Sequence, residues 1–134
     1  MRWLLDTDTV IALLRGSSPR LDRRVNSRPV GQIGLSSITL AELHFGVARS
    51  SRPRENANAL TAFLESFVTA PFDTAAASAY GPVRRRLSAG GTPIGPLDTL
   101  IAAHALALAA VLVTRNVREF RRVGGLRVEN WLAP

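Results

Sequence analysis

Arg2-Trp3-Leu4-Leu5-Asp6-Thr7-Asp8 opens the chain as a short apolar run that stops abruptly on two acids. So short a run suits a strand buried on both faces, feeding a turn and then a helix. The helix is expected at residues 10–14, ended by Gly16-Ser17-Ser18-Pro19, because glycine and proline halt a helix. A second helix follows at 21–26. The unit then recurs, with a strand at 33–36 and a helix at 37–49. Helical patterns also cover 55–67 and 74–87, the latter capped by Asp73, with a short strand at 68–71 between them. Gly90-Gly91 makes a turn. Pro96 begins an alanine-rich helix reaching about 109, since proline at the first helical position gives up no hydrogen bond. Val111-Leu112-Val113-Thr114 is a further strand, and 127–128 a last edge strand. Short apolar strands alternating with helices predict an α/β fold: one domain over 1–134, its short parallel sheet flanked by helices on both faces. Such sheets carry their sites beyond the carboxyl ends of the strands.

Composition narrows the function classes. At 134 residues, 46% hydrophobic and 20% charged, the chain suits one soluble globular domain and neither disorder nor collagen-like order. It has no cysteine, which excludes disulfides, thiolate nucleophiles and cysteine-held zinc. The longest nearly uninterrupted apolar run, Leu100 to Val113, is too short to span a membrane. Asp6 interrupts the N-terminal run before a signal peptide's apolar region could form, so the expected compartment is the cytoplasm, without membrane association. All 17 basic residues are arginine, against 10 acids, for a net charge of +7. Arginine's planar fork suits phosphate and makes a nucleic-acid partner compatible. A GC-rich genome would produce the same bias, and charge speaks to partners rather than to fold.

The acids fall where such a sheet would hold a site. Asp6 closes the first strand, Glu42 lies in the helix after the second, Asp98 in the first turn of the alanine-rich helix, and Asn116 just past Thr114. Each has a local structural explanation. Asp6 or Asp8 could cap a helix, Thr39 with Glu42 spells a T-x-x-E capping box, Asp98 suits a helix N-terminus, and Asn116 suits a turn. Together they are harder to dismiss, because Asp6 follows Leu4-Leu5 and Asp98 precedes Leu100-Ile101-Ala102-Ala103, wedging both against core residues. Three carboxylates in one cleft repel and raise at least one pKa, and a divalent cation reverses that sign. Oxygen-only ligation points to magnesium or manganese. His44 and His104 fit no zinc motif and read as core or rim residues.

Leu4-Leu5-Asp6-Thr7-Asp8, Ser36-Ser37-Ile38-Thr39-Leu40-Ala41-Glu42-Leu43 and Pro93-Ile94-Gly95-Pro96-Leu97-Asp98-Thr99-Leu100-Ile101-Ala102-Ala103 resemble the PIN-domain ribonucleases. Leu112-Val113-Thr114-Arg115-Asn116-Val117-Arg118-Glu119-Phe120 and Gly125-Leu126-Arg127-Val128-Glu129-Asn130-Trp131 complete the likeness, which is greatest to the VapC toxins of bacterial toxin–antitoxin pairs. The resemblance implies a PIN domain, a homodimer or toxin–antitoxin hetero-oligomer, and inhibition by a VapB-like antitoxin. It also implies a magnesium- or manganese-dependent endoribonuclease. Asp6, Glu42 and Asp98 match the metal-holding acids, Asn116 a fourth position that is often aspartate, and Thr114 the hydroxyl residue beside it. Asparagine offers an amide oxygen without charge; Glu119 is near enough in sequence to substitute, and Asp8 is peripheral.

The implied chemistry is metal-assisted hydrolysis of an RNA phosphodiester, with arginines positioning the backbone. Arg115, then Arg84, Arg85 and Arg86, and also Arg118, Arg121 and Arg122, are the candidates. Three successive helical arginines could equally form a solvated face. The implied substrates are tRNA or other structured RNAs, cut in single-stranded loops. Two other readings compete. One is a non-catalytic PIN-like module that binds RNA or a partner. The other is a haloacid-dehalogenase-like phosphatase, since Asp6-Thr7-Asp8-Thr9-Val10 spells its D-x-D-x-V motif, but that chemistry needs a lysine and the chain has none.

Overall fold

Leu4 and Leu5 are both shut off from solvent, yet they join different apolar clusters. That follows from their place in β1 (Trp3–Leu5), where successive side chains point to opposite faces of a sheet. A computed structural model describes residues 1–134 and shows β1 at the centre of a five-stranded sheet of order β3-β2-β1-β4-β5. The other strands are β2 (Ile33–Ser36), β3 (Val68–Ala70), β4 (Val111–Val113) and β5 (Val128–Glu129). All pairings are parallel, and Leu5 stands opposite Leu35 on one side and Val113 on the other.

The chain runs outward through β1, β2 and β3, then returns past β1 to β4 and β5. Right-handed crossovers therefore put the helices of the two legs on opposite faces. On the first leg lie α1 (Thr7–Arg15), α2 (Pro19–Asn26), α3 (Ser37–Ala48) and α4 (Pro53–Leu64). Their Val10, Leu21, Leu43 and Leu60 pack with Leu5, Leu35 and Val113. On the second lie α5 (Thr74–Ala89), α6 (Pro96–Ala107) and α7 (Val117–Phe120). Their Val83, Leu87, Ile101, Ala102 and Phe120 pack with Leu4 and Leu112. Trp131 anchors the C-terminal segment in the first cluster, and the Arg28 guanidinium lies 4.8 Å from its ring centroid. No helix is long and apolar enough to cross a membrane.

Several boundaries differ from those read in the sequence, each for a physical reason. The first helix starts at Thr7, not at residue 10, because Asp6 is its N-cap and accepts the Thr9 N–H at 3.0 Å. It ends at Gly16, whose φ of 62° is the left-handed conformation glycine adopts without strain. The T-x-x-E capping box does not form. Ser36 caps α3 instead, accepting the Ile38 N–H at 3.0 Å, and this leaves Thr39 and Glu42 inside the helix. The alanine-rich helix stops at Ala107, and Ala109 takes a left-handed φ of 51° to turn the chain into β4. The one-turn helix α7 was not foreseen, and β5 sits one residue later than expected.

Candidate functional site

The sheet order reverses between β1 and β4, so the crevice of a doubly wound sheet opens at their carboxyl ends. Asp6 sits there. Its N–H donates to the Val113 carbonyl at 3.0 Å, tying the end of β1 to the end of β4. Only 3% of Asp6 is exposed. One carboxylate oxygen accepts the Thr9 N–H, and the other accepts the hydroxyl of buried Thr114 at 2.5 Å. Burial pushes the Asp6 pKa above the usual carboxylate value, against these hydrogen bonds, which pull it down.

Glu42 reaches the same rim from the middle of α3. Thr7, in the first turn of α1, donates its hydroxyl to Glu42 Oε1 at 2.6 Å, and Thr39 Oγ1 lies 3.2 Å from that hydroxyl. Asp98 arrives from the first turn of α6, just past Gly95-Pro96, where the helix's positive end favours an anion. Its pKa is nevertheless pushed up to about 6, first by burial and then by the charges of Asp6, Glu42, Glu119 and Asp8. Those five carboxylates are half of the 10 acids in the chain. None of them meets an arginine: the one ion pair in the protein is exposed Arg52 with Glu55, 3.4 Å apart.

The rim around Asp98 is therefore negative, and none of the acids that act on it is in an ion pair. Its donors are carboxylates, hydroxyls and an amide, with no thiol, and so suit a hard divalent cation. No three acidic or histidine side chains stand at the spacing one ion requires.

The remaining sequence candidates take different places. Asn116 is exposed, at the N-terminus of α7; its N–H donates to Thr114 Oγ1 at 2.9 Å, one hydrogen bond removed from Asp6. Glu119, in α7, contributes to the potential at Asp98. Arg115 and Arg118 are exposed on the same segment, and Arg122 reaches the Pro93 carbonyl at 3.4 Å. Arg84, Arg85 and Arg86 are all exposed on α5 and fan over about 200° of helix surface. Of the three, only Arg84 borders the small cleft that includes Pro96 and Thr99 at the start of α6, and it donates to Tyr80 Oη at 3.0 Å. His104 is a core residue, 1% exposed, whereas His44 is on the surface. Thr7 was missed in the sequence. Its only signal there was its position between Asp6 and Asp8, in the first turn of a helix aimed at the rim.

A groove of about 890 Å³ runs from this rim between α1, α3 and α4. Asp8 and Glu42 stand along it with Ile11, Leu14, Phe45 and Leu97, and Phe45 is 66% exposed.

Comparison with known proteins gives a consistent result. The PIN-domain family model matches residues 3–126. The tRNA(fMet)-specific endonuclease VapC of Shigella flexneri is 37% identical over 98% of both chains. The VapBC2 structure from Rickettsia felis, bound to a promoter DNA fragment, superposes with a TM-score of 0.90 at 34% identity, over 98% of this chain and 99% of that one. VapBC-1 of nontypeable Haemophilus influenzae gives 0.91 at 32% identity, over 99% and 100%.

Proposed function

The chain belongs to the PIN-domain family and is a VapC ribonuclease toxin of a VapBC toxin–antitoxin system, and from that premise we propose that Asp6, Glu42 and Asp98 hold the divalent cation of its active site. The carrying observation is the raised pKa of Asp98, pushed up to about 6 by burial and by the charges of Asp6 and Glu42 among others, with none of these acids in an ion pair. Residues 1–134 act as one PIN domain in this reading, in the cytoplasm.

A bound magnesium or manganese ion supplies Lewis-acid polarisation of the scissile phosphate and acidifies a water ligand. The protein's part is to hold its donors in place. Thr114 and the Thr9 N–H fix both oxygens of Asp6, and Thr7 fixes Oε1 of Glu42. Asp6 is buried and Asp98 half-buried, so each gains more from a cation than a surface carboxylate would. Asn116, tied through its N–H to Thr114, has an uncharged amide to offer, and Glu119 supplies the negative charge that asparagine lacks there. Arg115 and Arg118 hold the RNA backbone close to the acids, and Arg84 extends that hold across the start of α6; Arg85 and Arg86 add to the positive field.

The substrate class is tRNA or similarly structured RNA. The Shigella relative named for tRNA(fMet) cleavage supports this. The partner is a VapB antitoxin, as in the related VapBC complexes, and the apolar groove beside the rim is suited to a segment of it. The active assembly is a homodimer, bound by antitoxin when silent.

Incubating the purified protein with total tRNA, with and without EDTA, and mapping the cut ends tests the proposal. Cleavage that requires magnesium or manganese and disappears in Asp98→Asn is expected. Cleavage that persists in EDTA, or in that variant, overturns the assignment.

A further inference from the structure

We infer that His104 and Ser36 form a positioning brace that sets α6 against α3 and thereby fixes where Asp98 and Glu42 stand for a divalent cation. This rests on the ligand assignment above. The two residues are 1% and 0% exposed, lie 68 positions apart in sequence, and bring Nδ1 and Oγ to 2.7 Å. Ser36 is itself tied into the fold, as the last residue of β2 and the cap of α3. From Ile101 to Ala105 the helix α6 is buried on all sides, and apart from His104 the side chains there are apolar. Apolar contacts are non-directional and an alanine side chain is a single methyl group, so this packing specifies the height and rotation of the helix less sharply than a hydrogen bond does.

The one other side-chain hydrogen bond on α6 stays at its own start, from Thr99 Oγ1 to the Gly95 carbonyl. The directional restraint on the helix is therefore the His104–Ser36 bond. Asp98 precedes His104 by six residues and Glu42 follows Ser36 by six, about 9 Å of helix rise in each case. The far ring nitrogen, Nε2, is buried and makes no full hydrogen bond, the Pro71 carbonyl acting on the ring only weakly, while the ring meets Phe72 edge-on at 5.4 Å. An apolar side chain would fill the site without that cost, so packing alone does not account for an imidazole here. Burial also lowers the His104 pKa, against weaker opposing effects of Asp73 and the Pro71 carbonyl, which keeps the brace uncharged.

His104→Leu and His104→Asn separate positioning from packing. Leucine fills the space without the bond; the asparagine amide lies near Nδ1 and restores it in either proton arrangement, but leaves a void. Mn²⁺ affinity, read from loss of the free-ion EPR signal, should weaken about tenfold in His104→Leu and stay within threefold of wild type in His104→Asn. The melting temperatures should rank the other way. Mn²⁺ affinity that follows thermal stability instead overturns the brace. Should His104→Leu not fold, Ser36→Ala against Ser36→Thr makes the same comparison, because threonine keeps the hydroxyl; equal affinities in that pair overturn it. A wild-type protein that takes up no Mn²⁺, or an Asp98→Asn variant that binds it equally well, refutes the ligand assignment itself.

Discussion

Replacing Asp98 with asparagine should make the metal-free protein more stable while removing its activity. The folded-state pKa of Asp98 stands at about 6 against an ordinary 3.8, so the native protein binds this proton more tightly than the unfolded chain does. Stability from the protonated carboxyl is then complete below 3.8 and is lost as pH rises through about 6. A shift of this size corresponds to about 3 kcal/mol at 1.36 kcal/mol per pKa unit. Partial solvent access reduces that to about 1–2 kcal/mol at pH 7.5. For a domain of this length the gain is about 4–8 °C in melting temperature. Thermal unfolding followed by circular dichroism in EDTA at pH 4, 5, 6 and 7.5 reads it directly. The variant should melt above wild type at pH 7.5, the gap should close near pH 4, and added magnesium should raise wild type alone. A variant that melts at or below wild type in EDTA at pH 7.5 would refute the idea that like charges accumulate at this rim.

Three further outcomes can be checked. Thr114→Val removes the hydroxyl that Asp6 accepts at 2.5 Å and leaves a buried carboxylate short of a donor. Chemical denaturation should show a loss of about 1.5–3 kcal/mol, and RNA cleavage should fall as well. Asn116→Ala removes no charge from an exposed position, so at equal magnesium it should cost less cleavage activity than Asp98→Ala; equal losses would mean that the amide is a ligand of full weight. Phe45→Arg places a charge on an exposed apolar wall of the groove, and should weaken antitoxin binding in calorimetry at least tenfold while the free toxin still cuts RNA.

The strands and most helices were legible because their signals are local. Leu4-Leu5 and Val111-Leu112-Val113 are apolar runs too short to be helices, and Pro96 marks a helix start from its own backbone chemistry. Topology is also the ground on which the sequence assigns Asp6, Glu42 and Asp98 to one rim, since a parallel sheet collects the ends of its strands. What escaped reading depends on contacts far apart in the chain. Thr7 reaches a residue 35 positions away, and Ser36 one that is 68 away. The helix α7 covers four residues and its cap makes no side-chain hydrogen bond, so it carries no sequence signature. Thr39 and Glu42 matched a capping motif that Ser36 pre-empted, because the strand ends three residues earlier than the motif needs.

The scarcity of internal ion pairs has a consequence in solution. With a single Arg–Glu contact in the fold, nearly every guanidinium is left to gather mobile counterions or polyanions. Association with single-stranded RNA should then weaken with a log–log salt slope of about 0.7 for each phosphate engaged. Ionic strength thus becomes a dial on how long the toxin lingers on RNA it does not cut.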